Sequence, residues 1–262
     1  EQQEAVERFQ RGENLKLVAV AGSGKTTTLR LMAQANPRKR IMYLAFNRSV
    51  KEEGKRKMPP NVQVYTLHGL AYREMVRSDP NLLQKLRLGG GQVRASHVWE
   101  ALDGQLRDRV SAYVVKATLE AFLRSNVGHP TVAMVPLRYR DLARKRRRED
   151  EVEAILEAAK ELWVRMQNPA DPFPLSHDGY VKLWAQSGGR IGGVEALLVD
   201  EAQDLDPVFA QVLEGQRGLQ RVYVGDPNQE IYGWRGAVNA LEGLDAHEAH
   251  LTWSFRFGEG LA

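Results

Sequence analysis

Asp200 and Glu201 stand side by side at the end of the apolar run Leu197-Leu198-Val199, within Leu-Leu-Val-Asp-Glu-Ala-Gln-Asp at 197–204. Two adjacent carboxylates at a strand end suit phosphoanhydride hydrolysis: one holds a metal ion, the other accepts a proton from the attacking water. Far upstream, Ala21-Gly22-Ser23-Gly24-Lys25-Thr26 has the make-up of a phosphate cradle. Glycines let backbone N–H groups close around phosphate oxygens, and a helix opening at Lys25 adds its dipole. Lys25 is placed to reach the β- and γ-phosphates of a nucleoside triphosphate. The Thr26 hydroxyl is placed to ligate Mg2+ together with Asp200. Gly22, Ser23, Gly24 and Thr27 complete the expected phosphate-binding turn. A third strand end carries Val224-Gly225-Asp226-Pro227-Asn228-Gln229. There the Gln229 amide is a candidate sensor of the γ-phosphate or the water, with a plain turn as its alternative.

These residues need a scaffold that brings distant strand ends together. Residues 2–10 read as helix, and Leu15 to Val20 as a short buried strand. A helix is expected from about Lys25 to Ala35, with strands at Ile41–Phe46 and Val62–Tyr65. Strands alternating with helices point to a parallel α/β sheet. After about residue 78 the rhythm changes. Asp79-Pro80 and Gly89-Gly90-Gly91 are breakers, and 97–125 and 150–167 read as mainly helical. Asn168 to Pro174 reads as a stiff linker. The α/β rhythm returns at Glu195–Val199 and Arg221–Val224. The expected organisation is an α/β domain from 1–77 and 175–262, interrupted by a helical insertion at 78–174.

The chain has 262 residues, 43% hydrophobic and 27% charged, an ordinary globular composition. No apolar run reaches membrane length, and the N-terminus reads as charged helix rather than signal peptide. With no Cys, a disulfide framework and a thiolate metal site are excluded. An intracellular location is expected, cytoplasmic and nucleoid-associated if the source is bacterial. The net charge of +4 is compatible with nucleic-acid binding but specifies nothing. Between Arg138 and Arg148 seven basic residues face one acid, Asp141, and four acids follow by Glu153. The run reads either as a solvated helix with internal ion pairs or as a phosphate-contacting patch.

With these sites placed, the chain resembles superfamily 1 DNA helicases of the UvrD/Rep type, and within them the F-box DNA helicase group. The similar segments are Gln2–Val6, Ala21–Thr26, Leu44–Asn47, Thr66–Leu70, Val199–Asp204, Gly225–Ala237 and Leu251–Gly258; His177–Leu183 is similar to the F-box group. The strict phosphate-loop pattern asks for Gly where Ala19 stands, and Ala is frequent at that position in this family. The middle third carries no matching motif.

The resemblance implies a RecA-like P-loop NTPase domain with a 1B-like helical insertion. It also implies a second RecA-like domain, which lies outside this chain. It assigns Gln2 to reading adenine, Glu201 to the water, and Arg256 to the γ-phosphate, where a guanidinium suits the transferring phosphoryl group. Tyr232 and Trp234 correspond to an aromatic segment beside single-stranded DNA, supported by Arg235. Stacking there contributes roughly 1–3 kcal/mol per base and tolerates any sequence. Phe46, Asn47, Thr66 and His68 correspond to residues lining the strand path. Phe46 also reads as core, His68 as a helix-start residue, and Trp234 as core. The implied activity is ATP hydrolysis, with Mg2+, coupled to 3′-to-5′ movement on single-stranded DNA or at a single/double-strand junction. A motor fragment of this kind is not expected to unwind alone. A nucleotide- and DNA-binding module without turnover is the alternative, and a small-molecule kinase a more distant one.

Overall fold

The structure, a computed structural model, describes residues 1–20, 22–106, 108–229, 241 and 245–252. Two compact units emerge: Glu1–Leu70 with Arg190–Ala262, and Ala71–Gly189. The joins of the expected organisation lie near 77 and 174 instead.

Among the described residues, the first unit has six parallel strands: β1 (Leu15–Ala19), β2 (Ile41–Ala45), β3 (Val62–Thr66), β4 (Ala196–Val199), β5 (Gln220–Gly225) and β6 (His247–Leu251). Their order across the sheet is β3-β2-β4-β5-β1-β6. All residues of β2 and β4 are buried, as strands covered on both faces must be. Their sequences, Ile-Met-Tyr-Leu-Ala and Ala-Leu-Leu-Val, accordingly show no polar alternation. The two edge strands are more polar. β6 reads His-Glu-Ala-His-Leu, with only Leu251 buried, which is why periodicity did not predict it. The helix Gln2–Gln10 lays Ala5 and Phe9 into the core beside Leu17, Leu29, Met32 and Tyr43.

Because every strand runs the same way, all the strand-end segments singled out above emerge at one edge of the sheet. In register, Leu44 stands beside Val199, Val199 beside Tyr223, and Val18 beside Gly225. The ends of β4, β5 and β1 are therefore neighbours, at the carboxyl edge where open α/β sheets place their ligands.

The second unit is helical. The stretch from 97 to 125, expected as mainly helical, is divided into two helices, Ala95–Ala101 and Arg109–Arg124. The latter packs on Glu149–Gln167, where the Phe122 and Trp163 rings meet edge-on at 5.4 Å. Two buried lysines tie off helix ends. Lys182 Nζ donates to the carbonyls of Ser125 and Val127 at 2.8 and 2.6 Å and lies 4.3 Å over the Phe122 ring. Burial pushes its pKa down to about 8. Lys85, 1% exposed, donates to the carbonyls of Arg165, Asn168 and Asp171 at 3.0, 2.7 and 2.8 Å. The Asn168–Pro174 stretch is thus no free linker. Its carbonyls are held by Lys85, Asp171 pairs with Arg165 at 3.0 Å, and Phe173 is buried. Proline stiffness was legible in the sequence; the anchoring lysine, more than eighty residues upstream, was not.

Lys85→Met keeps the stem's volume and removes the only part that reaches those carbonyls. The expected result is a loss of about 3 kcal/mol, from leaving buried acceptors without their donor. Equilibrium urea unfolding followed by circular dichroism measures it; an unmoved midpoint would mean the carbonyls find other donors.

The basic run occupies the helix Leu137–Lys145 and the turn after it. Arg138, Arg144, Lys145, Arg146 and Arg147 are exposed, and Arg148 pairs with Glu151 at 3.0 Å. Among the described residues no helix is long and apolar enough to cross a membrane.

Candidate active site

The turn after β1 is shaped for an anion. Gly22 and Gly24 have φ of 75° and 84°, a left-handed conformation that glycine adopts without the cost a side chain would impose. Gly24 is the N-cap of the helix Lys25–Gln34, and no side chain caps that terminus. Its first-turn N–H groups and dipole are therefore available to negative charge. Ser23 is 2% exposed, and its hydroxyl has no hydrogen-bond partner among the described residues. A buried orphan hydroxyl in such a turn fits a missing phosphate oxygen. Gln2 reaches the same turn, its Nε2 at 3.5 Å from the Ser23 carbonyl. In the first helical turn Thr26 is half-buried and Thr27 exposed.

Lys25 and Glu201 meet although 176 positions separate them. Lys25 Nζ donates to Glu201 Oε1 at 3.1 Å and Oε2 at 3.0 Å. Glu201 holds a left-handed backbone, φ 51° and ψ 46°, which costs a residue with a side chain about 1–3 kcal/mol. That conformation turns the chain sharply after β4, so that neighbouring carboxylates face different partners. Asp200 points inward and is 4% exposed. Its Oδ2 accepts from the Tyr43 hydroxyl at 2.5 Å and its Oδ1 from the Glu201 N–H at 3.0 Å. Burial pushes the Asp200 carboxyl above the usual range, against the pull of the Tyr43 hydrogen bond.

The donor set fits Mg2+. Asp200 is an acceptor-only group whose two oxygens each spend one lone pair on the protein, leaving capacity for a cation. A hydroxyl and one carboxylate, with phosphate and water, are the partners this ion takes in nucleotide sites. A bound cation would also offset the cost of keeping Asp200 charged at such depth.

Gln229 lies one strand over, at the end of β5. Its N–H donates to the Asp226 carbonyl at 2.9 Å and its Nε2 to Asp226 Oδ2. Asn228 N–H takes Asp226 Oδ1 at 3.0 Å. Asp226, buried at 4% exposure, thus organises the turn that presents the exposed Gln229.

The candidates for the strand path sit at the ends of β2 and β3. Asn47 caps the helix Arg48–Lys57, its Oδ1 accepting from Val50 N–H at 2.9 Å. Thr66 Oγ1 accepts from Gly69 N–H at 3.1 Å. Phe46 and His68 are half-buried, and the His68 ring meets Phe209 edge-on at 5.1 Å. Tyr232, Trp234, Arg235 and Arg256 lie outside the described residues. The sequence reading missed Tyr43. One signal was available: a tyrosine inside an otherwise apolar buried strand needs a partner for its hydroxyl.

Compared with known proteins, residues 2–235 match a family model described as AAA domain. The chain is 33% identical over 267 residues to F-box DNA helicase 1 of Gallus gallus, covering 97% of this chain and 26% of that protein. It is 30% identical over 281 residues to F-box DNA helicase protein 1 of Schizosaccharomyces pombe, covering 96% of this chain and 30% of that protein. The chain therefore spans between a quarter and a third of the length of these relatives.

Proposed function

This chain belongs to the AAA domain family, in its UvrD/Rep-like superfamily 1 form, and we propose that it is the ATP-hydrolysing lobe of a DNA helicase or translocase. The observation that best supports the reading is the pairing of Lys25 with Glu201 at 3.0 Å beside the buried Asp200. Lys25, after the end of β1, and the carboxylate pair, after the end of β4, meet beside one glycine-rich turn.

Each group has one part in the reaction. The turn at 22–27 holds the phosphates with its N–H groups and the Ser23 hydroxyl, and Lys25 carries positive charge to the β- and γ-oxygens. Thr26 and Asp200 would hold Mg2+, which supplies neutralisation of phosphate charge when bound. Glu201 takes the proton of the attacking water, and Gln229 orients that water or the γ-phosphate. Gln2 reads the adenine edge through its paired donor and acceptor. Arg256 completes the charge on the transferring group.

Single-stranded DNA would run along the same carboxyl edge, past Phe46, Asn47, Thr66 and His68, to the aromatic-basic segment with Tyr232, Trp234 and Arg235. The unit at 1–70 and 190–262 is then the RecA-like domain, and 71–189 its 1B-like insertion. Movement in the 3′-to-5′ direction follows the family pattern.

Phosphate release from ATP, measured with and without single-stranded DNA, tests the proposal. Hydrolysis that rises several-fold with DNA is expected. Binding of ATP and DNA with no turnover, in the presence of Mg2+, would instead make this a binding module.

A further inference from the structure

Gln203 lies between the ends of β4 and β5, bonded to Glu201 after one and to Asp226 after the other. It is 2% exposed, and both ends of its amide are engaged. Its Nε2 donates to Glu201 Oε2 at 2.9 Å and to Asp204 Oδ2 at 3.3 Å. Its Oε1 accepts from the Asp226 N–H at 3.2 Å. The chemistry sets the amide's orientation: a carboxylate only accepts and a backbone N–H only donates. The neighbouring backbone makes room for this amide. A Cβ at Gly225 would fall 2.3 Å from Gln203 Oε1, so glycine is needed there for the contact to exist.

The consequence is an unbroken chain of hydrogen bonds from Lys25 through Glu201, Gln203 and Asp226 to Gln229. Glu201 is held at two points, by Lys25 and by Gln203. Once Lys25 turns its protons toward phosphate, the Gln203 contact stays with the carboxylate. From this geometry, and resting on the proposed hydrolysis, we infer that Gln203 is a positioning residue. It orients Glu201 toward the water and ties that orientation to the turn carrying Gln229. An amide suits the task. It contributes a donor to the carboxylate without a charge that would compete with Lys25, and an acceptor to the backbone on the far side.

Two substitutions in the full-length protein separate the halves of this role. Gln203→Met keeps the volume and loses both contacts. Gln203→Glu keeps the acceptor for Asp226 N–H and sets a carboxylate against Glu201. The expected result is a fall in kcat of about 10- to 100-fold for both, the cost of misplacing a reacting group, with KM for ATP within about threefold. Hydrogen exchange at the Asp226 amide, measured without nucleotide, should quicken in Gln203→Met and stay slow in Gln203→Glu. In a Glu201→Gln background, Gln203→Met should cost little further in single-turnover hydrolysis, because a residue acting through Glu201 has nothing left to position. Thermal unfolding of each variant confirms that it is folded. Turnover within twofold of the parent for both variants would overturn the inference, as would an undiminished loss in the Glu201→Gln background. If the parent itself does not hydrolyse ATP, the proposed function fails first and carries this inference with it. That outcome is read from the parent alone.

Discussion

Glu201→Gln is expected to lower ATP turnover by roughly 10²–10⁴-fold, the usual contribution of a positioned general base, while ATP remains bound. The substitution is nearly isosteric, and the left-handed backbone that aims the side chain is unchanged in requirement. What disappears is the ability to take a proton. With its oxygen at the Oε2 position the new amide still accepts from both Lys25 and Gln203. Its nitrogen then replaces Oε1, and Lys25 loses that second contact. Because Asp200 keeps its bonds to Tyr43 and to the 201 N–H, the carboxylate proposed to hold the metal stays in place. Single-turnover hydrolysis alongside equilibrium binding of a fluorescent ATP analogue separates the two effects. Turnover within about tenfold of the parent would remove Glu201 from the role of base.

Lys25→Ala is expected to weaken ATP binding and to cut turnover by roughly 10²–10³-fold, the scale seen when one electrostatic contact to developing charge is lost. Lys25 opens the helix on the uncapped turn, and its ammonium is the group aimed across the site at Glu201. Without it, the phosphates would keep the backbone N–H groups and lose the lysine's positive charge. The fold should tolerate the change. Lys25 and Glu201 are both partly exposed at the side chain, 15% and 32%, so losing their pair should cost less than about 1 kcal/mol. A thermal midpoint near that of the parent, with a raised Kd for ATP, is the expected combination. An unchanged Kd would mean that Lys25 does not reach the phosphates.

The relation between the two substitutions bears on the resting pair. Lys25 cannot give the same protons to Glu201 and to phosphate. Glu201→Gln frees part of that competition, so its ATP affinity should not fall, whereas Lys25→Ala removes the phosphate contact itself. Opposite directions in Kd from the two ends of one ion pair would distinguish a switchable contact from a merely structural bridge.

Local chemistry was legible wherever it depends on neighbours in sequence. Gly22 and Gly24 are spaced for a turn of positive φ, and Lys25 opens a helix directly after it. Asp200 and Glu201 follow a run too apolar to be anything but a buried strand. Asp226 and Gln229 fall within one turn. The strands β1 to β5 were each found within one or two residues of their ends, because short β-rich runs between breakers leave little choice. β6 was not, since an edge strand with one covered position lacks the apolar run that marks its neighbours. In the helical unit the sequence showed helices but not that one ends at Ala101 and the next begins at Arg109, nor the lysines that close helix ends.

What the amino-acid sequence determined by itself is therefore the set of reactive groups and the turns that present them: a phosphate-shaped loop, a carboxylate pair and an amide-bearing turn, each a property of a few consecutive residues. What only the tertiary structure decided is which of these touch. The order β2-β4-β5-β1 at the middle of the sheet sets Glu201 against Lys25, Tyr43 under Asp200, and Gln203 between Glu201 and Asp226. Strand order follows from how helices and strands pack over the whole core, and no local pattern records it. Contacts between side chains that stand 176 and 157 positions apart come from that packing alone.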